Sequence, residues 1–182
     1  NVDGEKMSKS KNNFYTTLDI RAHNINPLAV RLLCMQTSYR KPLNFTWESL
    51  VASNKMLASL NKFASRQEKI GTVDENYKTK LKESLSDDLN TARTLATVWE
   101  LLKDTSISDT DKWSTLLEFD RVLGLNLEKV PKFIITDEVQ TIINNRDSAR
   151  KDKDFELSDK LRGELEALGY EVSDTPEGTM IS

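Results

Sequence analysis

Apolar residues recur along most of this chain at the three-and-four spacing of a helix face, and only the tail beyond residue 169 alternates as strands do. The opening, 1–17, has no apolar period and reads as a loop carrying Gly4 and the lysines Lys6, Lys9 and Lys11. Over 18–38 the pattern predicts two short helices broken near Asn26-Pro27, because a capping Asn followed by Pro in a first turn opens a helix. Leu28, Arg31, Leu32 and Met35 then fall at helical spacing. Residues 39–45, with Pro42, read as a connector. From Thr46, an N-cap with Ser49 at the third helical position, a long helix puts Leu50, Leu57, Leu60 and Ala64 on its inner side and Phe63 on the flank, and Gly71 ends it.

A weaker period over 75–84 involves Tyr77, Leu81 and Leu85. Asn90-Thr91 then precedes a stripe of Ala92, Leu95, Ala96, Trp99 and Leu102. Residues 111–123 repeat it through Leu116, Phe119, Val122 and Leu123, closed by Gly124. The stretch 128–136 holds Pro131 and reads as a linker. Two further helices are expected over 137–151 and 154–168, with Gly169 capping the second. Tyr170 and Val172, a turn at Thr175-Pro176-Glu177-Gly178, and 179–181 suggest a small hairpin. The expected fold class is mainly α: a helical bundle, then a small helical module with a short terminal β-hairpin.

Composition narrows the function classes. With 182 residues, 37% apolar and 30% charged, the chain suits one domain or a domain with an appendage, and neither a disordered tail nor a membrane span. The 29 acidic and 26 basic side chains leave a net charge of −3, which excludes a generic DNA-coating protein but allows the reading of one shaped RNA. The polar residues 1–10 form no signal pattern, and with Asn rather than Met as its first residue the chain is expected to be a fragment. The single cysteine, Cys34, allows no internal disulfide and no Cys-rich metal cage, and fits a reducing compartment. Within an apolar helical stripe it is expected in the core. His23, at a helix end, is a capping or surface residue, and Trp47, Trp99 and Trp113 belong to packing.

The most specific string is Lys6-Met7-Ser8-Lys9-Ser10. A chance match to a named five-residue string in a chain this long has odds of about one in ten thousand. Two lysines three apart on a loop can close over a polyphosphate and meet charge developing on departing pyrophosphate. Ser8 and Ser10 add hydroxyl donors without charge, and lysine acts as a mobile point charge.

The last two helices carry a second constellation. At about 100° per residue, Val139, Ile143, Arg146 and Arg150 form one stripe that starts apolar and turns cationic, as expected if its second half leaves the core to face a ligand. On the next helix Leu157, Leu161, Leu165 and Leu168 make a packing face, and Phe155, Asp159 and Arg162 lie opposite. A ring, a carboxylate and an arginine fork can stack on, accept from and donate to splayed bases. Intrahelical salt bridging, with Phe155 wedged between helices, explains the same spacing. Six bases against five acids over 146–162 favour selective readout over phosphate coating.

The pentapeptide resembles the signature loop of class I aminoacyl-tRNA synthetases. TSYRKPLNFTWESL (37–50), Asp87-Asp88-Leu89-Asn90-Thr91 and RDSARKDKDFELSDKLRGELEALGYEVSDTPEGT (146–179) are similar to successive segments of the cysteinyl-tRNA synthetase family. The chain departs from the family where Lys11-Asn12-Asn13 replaces the frequent Leu-Gly-Asn, and where Met180-Ile181 replaces the usual tail aromatic.

The resemblance implies a helical bundle of the class I anticodon-binding type. It divides the chain into the loop and end of a catalytic domain (1–25), the bundle (26–127), a linker (128–136) and an anticodon-recognition module (137–182). It implies catalytic roles for Lys6 and Lys9, ATP binding by Met7, Ser8, Lys9 and Ser10, and anticodon contacts by Arg146, Arg150, Phe155, Asp159, Arg162 and Asp174. Asp174, before the Thr175-Pro176 turn, would offer an exposed carboxylate. The whole protein would be a cytoplasmic monomer using cysteine, ATP with Mg2+ and tRNA(Cys), without membrane or DNA partners. Its Zn2+ is expected in a catalytic half outside this segment, since no His-Ile-Gly-His element or cysteine cluster occurs here, and the segment alone is expected to be inactive. Two other readings stay open: a sibling ligase joining cysteine to an amino-sugar, against which 146–179 argues, and a non-catalytic tRNA-binding helical module, which leaves the pentapeptide lysines without a role.

Overall fold

The structure, a computed structural model, describes residues 1–175 and 178–181. The chain divides into two compact units, Asn1–Lys132 and Phe133–Ser182.

The first unit is built from α1 (Thr17–Ala22), α2 (Leu28–Met35), α3 (Trp47–Ser65), α4 (Glu75–Ser86), α5 (Thr91–Lys103) and α6 (Asp109–Leu123). Their starts are set by local side chains that satisfy otherwise unpaired helix N–H groups. Thr16 with Asp19 and Thr46 with Ser49 form reciprocal capping boxes, and Asp74, Asn90 and Ser108 each accept from the amide three residues on. Gly124 closes α6 in the left-handed region at φ 61°, and the Arg31 guanidinium donates to the carbonyls of Val122 and Leu123. That places a cation on the negative end of the helix. Leu32, Leu50, Leu57, Leu60, Leu101 and Phe119 lie in the core, fully or almost fully shielded from solvent.

Three expectations are corrected here. Helix α3 stops at Ser65, not at Gly71. Gly71 instead lies against the start of α6, where its amide donates to Ser114 Oγ at 2.8 Å and its carbonyl accepts from the same hydroxyl at 2.9 Å. A Cβ there would come 2.7 Å from the Thr110 carbonyl carbon, so close approach is what demands glycine. On α5 the buried face is Thr94, Leu95, Thr97, Val98 and Leu101, with Ala92 and Ala96 exposed. The threonines bury cheaply because their hydroxyls donate one turn back, to Asn90 and Arg93 carbonyls, and Thr94 also meets Ser84 Oγ at 2.8 Å. Cys34 is exposed. Helix α2 turns Ala29, Leu32 and Leu33 inward, and Cys34 lies about 200° around the axis from Leu32.

Trp113 is buried beneath Lys132, whose ammonium sits 4.9 Å from the ring centroid and donates to Ala64 O at 3.2 Å. Trp47 packs in an aromatic group with Tyr15 and Phe45, and His23, the C-cap of α1, lies 4.2 Å from its ring. Trp99 packs against the same core.

The second unit holds α7 (Asp137–Lys151), α8 (Phe155–Ala167) and an antiparallel pair, β1 (Val172–Thr175) and β2 (Gly178–Ile181), in register Val172↔Ile181 and Thr175↔Gly178. Pro176 and Glu177, within the expected turn, lie outside the described residues. Val139, Ile143, Leu165 and Ile181 form its core, with Phe133 edge-on to Tyr170 at 5.7 Å. The expected four-leucine packing face is corrected: Leu161 and Leu165 are buried with Ser158, while Leu157 and Leu168 stay 42% and 54% exposed. Two helices and a hairpin cannot cover a stripe that wide.

Candidate functional site

The lysine loop is braced at its base. Asp3 and Gly4, at φ 47° and 82°, make the central pair of a primed turn closed by Val2 and Glu5 through paired backbone bonds of 2.8 and 2.9 Å. Phe45 O accepts from Asp3 N, and Asn44 Oδ1 accepts from Gly4 N, so the turn is pinned to the chain entering α3. Gly4 therefore serves a rigid turn, not a flexible hinge.

Beyond it, Ser8 caps a single 3-10 turn, Lys9–Lys11, and accepts from Lys11 N at 3.3 Å. Asn12 ends the turn in the left-handed region at φ 51°, a conformation Asn tolerates where Gly is the usual choice. Asn13 then ties the loop shut: its Oδ1 accepts from Ser8 N at 2.8 Å, and its Nδ2 donates to Lys6 O at 3.2 Å. Ser8 and Ser10 hydroxyls lie 3.3 Å apart, and Met7 is exposed.

Lys11 is neutralised by Glu5 at 2.9 Å. Lys6 and Lys9 are exposed, and their ammonium groups have no acceptor among the described residues. The loop thus presents two free cations on a hydrogen-bonded ring, which suits an oligophosphate.

In the second unit the structure gathers three of the six residues expected to read a base. Arg146 NH1 donates to Asp174 Oδ1 at 2.7 Å, and Arg150 NH1 donates to the same oxygen at 2.8 Å. The expectation that Arg146 leaves the core is corrected: it is 2% exposed and also donates to Thr179 Oγ1 at 2.5 Å. A guanidinium can be buried there because a carboxylate and a hydroxyl accept from it. Asp174 likewise is not a free carboxylate. The Arg146 hydrogen bond holds its carboxyl below the ordinary range against partial desolvation, and the charges of Arg146, Arg150 and Arg162 add to this. Its side chain keeps 37% exposure, and Oδ2 has no partner among the described residues.

Arg162 bonds within the unit, through Nε to Glu166 Oε1 at 3.1 Å and through NH2 to Val172 O at 2.9 Å. The salt-bridge reading of its spacing is therefore realised, and the arginine also anchors β1. Phe155 is 67% exposed and is not wedged between helices. Asp159 is exposed, with no ion pair among the described residues.

Asn13, Asp147 and Thr179 carry both sites but do not stand out in the sequence. Asp147 accepts from Thr179 N at 2.8 Å and from Thr179 Oγ1 at 2.6 Å. The one signal for Asn13 is that it stands where the resembled pattern Leu-Gly-Asn also has asparagine. Asp147 has none, because its partner lies 32 residues away. Among the described residues no group of three or more His, Cys, Asp or Glu could hold a metal ion, and no helix is long and apolar enough to cross a membrane.

Residues 1–55 match the family model described as tRNA synthetases class I (C) catalytic domain, and residues 135–180 match the cysteinyl-tRNA ligase anticodon binding domain. The chain is 35% identical to a protein named cysteine–tRNA ligase from Leptospira interrogans, covering 97% of this chain and 42% of that protein. It is 37% identical to cysteine–tRNA ligase 1 of Burkholderia lata, over 95% of this chain and 37% of the relative. A cysteine–tRNA ligase of Prochlorococcus marinus is 33% identical over 98% of this chain and 45% of its own length. The chain spans less than half the length of these relatives.

Proposed function

We infer that this chain, whose matches over nearly its whole length are to the cysteinyl-tRNA synthetase family, acts as the C-terminal portion of a cysteine–tRNA ligase. The whole enzyme joins cysteine to ATP, releases pyrophosphate, and passes the cysteinyl group to the 3′ end of its tRNA in the cytoplasm. Residues 1–25 close the catalytic domain, 26–127 form the bundle that supports the tRNA, 128–136 link, and 137–182 read the anticodon.

The chemistry assigned to this chain is electrostatic. Lys6 and Lys9 meet the β- and γ-phosphates of ATP and stabilise the charge that grows on pyrophosphate as it leaves. Met7, Ser8 and Ser10 shape the same loop over the nucleotide. In the second unit Arg150 offers N–H groups and Asp174 its free oxygen to base edges. Phe155 offers a stacking face beside the Asp159 carboxylate, and Arg162 keeps one nitrogen for a base.

The observation that carries this reading is the pair of unpaired ammonium groups, Lys6 and Lys9, on a loop whose third lysine is neutralised. The test is cysteine-dependent pyrophosphate exchange by the complete ligase. Lys9→Ala lowers the maximal rate by about two to three orders of magnitude at saturating ATP, with little change in KM for cysteine. An unchanged maximal rate would remove Lys9 from the chemistry.

A further inference from the structure

The second unit contains an arginine that no base can reach directly. Arg146 is 2% exposed, and its Nε–H has no acceptor among the described residues. An orphaned buried donor is unfavourable, so the remaining bonds of this guanidinium must hold it in place. NH1 carries two hydrogens, and both are used, one on Asp174 Oδ1 and one on Thr179 Oγ1.

The Thr179 hydroxyl has a single proton, which it donates to Asp147 Oδ1 at 2.6 Å. It can then only accept from Arg146. The Thr179 amide donates to the same Asp147 oxygen at 2.8 Å. The donors therefore run in one direction, from Arg146 through Thr179 to Asp147, and the carboxylate is where the relay ends. The backbone approaches Asp147 closely at this point. A Cβ on Gly178, at φ 135°, would lie 2.8 Å from Asp147 Oδ2.

We propose that Asp147 is a positioning residue for RNA reading: by orienting Thr179, and through it Arg146, it holds Asp174 with one oxygen committed to arginines and Oδ2 open to a base. This rests on the reading of the second unit as the anticodon-binding part. Asp147 touches no base itself. Without it the Thr179 hydroxyl turns, Arg146 loses a directed acceptor, and Asp174 swings with Arg150, so the carboxylate and guanidinium no longer match one base edge. General attraction to phosphate depends on net charge and exposed cations, which this change leaves largely in place.

The experiment measures Kd at fixed salt for the whole chain with the anticodon stem–loop of cysteine tRNA and with stem–loops carrying one replaced anticodon base. Wild type prefers the unaltered stem–loop. Asp147→Ala lowers that preference by about fivefold to a hundredfold, while affinity for a scrambled stem–loop stays at the wild-type value. Asp147→Asn keeps an oxygen that accepts from both Thr179 groups and restores the preference, which a general packing defect would not do. A full preference in Asp147→Ala overturns the proposal, and so does an equal loss on every RNA.

If Asp147→Ala unfolds the second unit, Thr179→Val and Thr179→Ser decide. The valine keeps the volume but cannot relay and must lose the preference, the serine must keep it, and identical behaviour of the two overturns the proposal. A wild-type chain that binds all stem–loops alike overturns the anticodon reading itself, and the proposal with it. Discrimination that survives in Asp147→Ala overturns the proposal alone.

Discussion

Asn13 Oδ1 accepts from the Ser8 amide at 2.8 Å and Asn13 Nδ2 donates to Lys6 O, closing the lysine loop into a ring on which the Lys6 and Lys9 ammonium groups have no acceptor among the described residues. One neutral hydrogen bond is worth about 0.5–1.5 kcal/mol. Asn13→Ala is therefore expected to speed hydrogen exchange at the Ser8 amide by about three- to tenfold without moving the melting temperature of the first unit. Unchanged exchange would show that the ring is held by other contacts.

Arg146→Ala removes two bonds from a buried guanidinium and leaves Asp174 paired with Arg150 alone. Loss of charged hydrogen bonds at this site is expected to destabilise the second unit by roughly 1.5–3 kcal/mol. Urea unfolding followed at the Ile181 methyl group reads this unit, and a midpoint equal to wild type would contradict the role of Arg146 as its polar keystone.

Asp174 has its folded-state carboxyl pulled below the ordinary value of 3.8 by the Arg146 hydrogen bond. A lowered value means that the stabilisation is present above the unfolded value and disappears as pH falls through the folded one. Hairpin order, followed by the Thr179 and Met180 amide resonances, is expected to hold to about pH 4 and to fade below it. Asp174→Asn should remove that acid transition, and its persistence in the variant would assign it elsewhere.

Tyr77 moves in the other direction. Burial, followed by its hydrogen bond to Asp104 at 3.0 Å, pushes the phenol up to about 12. A raised value gives stabilisation that is complete below the unfolded pKa of 10.0 and is lost as pH climbs through about 12. An alkaline absorbance titration should therefore show a late tyrosine, and Tyr77→Phe should delete that phase. A late phase that remains in Tyr77→Phe would rule this assignment out.

Phe155 separates packing from recognition, since it is 67% exposed. Phe155→Ala is expected to change stability by less than about 0.5 kcal/mol. On the anticodon reading it weakens stem–loop binding by about 1–3 kcal/mol, the usual worth of one stacked base. A variant that melts early but binds RNA normally would reverse both expectations.

Much of the first unit was legible from short-range pattern. Thr46 with Ser49 and Gly124 after Leu123 act within one helical turn, so the sequence alone places the start of α3 and the end of α6. The same locality makes the pentapeptide readable, because its lysines and serines lie in five consecutive residues and Ser8 caps the turn that carries Lys9. Gly71 was misread because its reason for being glycine is Thr110 and Asp111, about forty residues on. The α5 stripe was misplaced because alanine counts as apolar in a pattern, whereas a threonine bonded one turn back buries at little cost.

The sequence by itself therefore determined the helical class, the starts of α3, α4, α5 and α7, the lysines' place on a loop and the kinship of both chain ends. Folding decided which cations are spent and which are free: Lys11 on Glu5, Arg146 on Asp174 and Thr179, Arg150 on Asp174, and the second bond of Arg162 on Val172. Helical spacing gives each side chain a direction around its own axis and nothing more. Whether an arginine meets solvent, a carboxylate or a carbonyl depends on what another segment brings within 3 Å of it, and that distance exists only once the chain has folded.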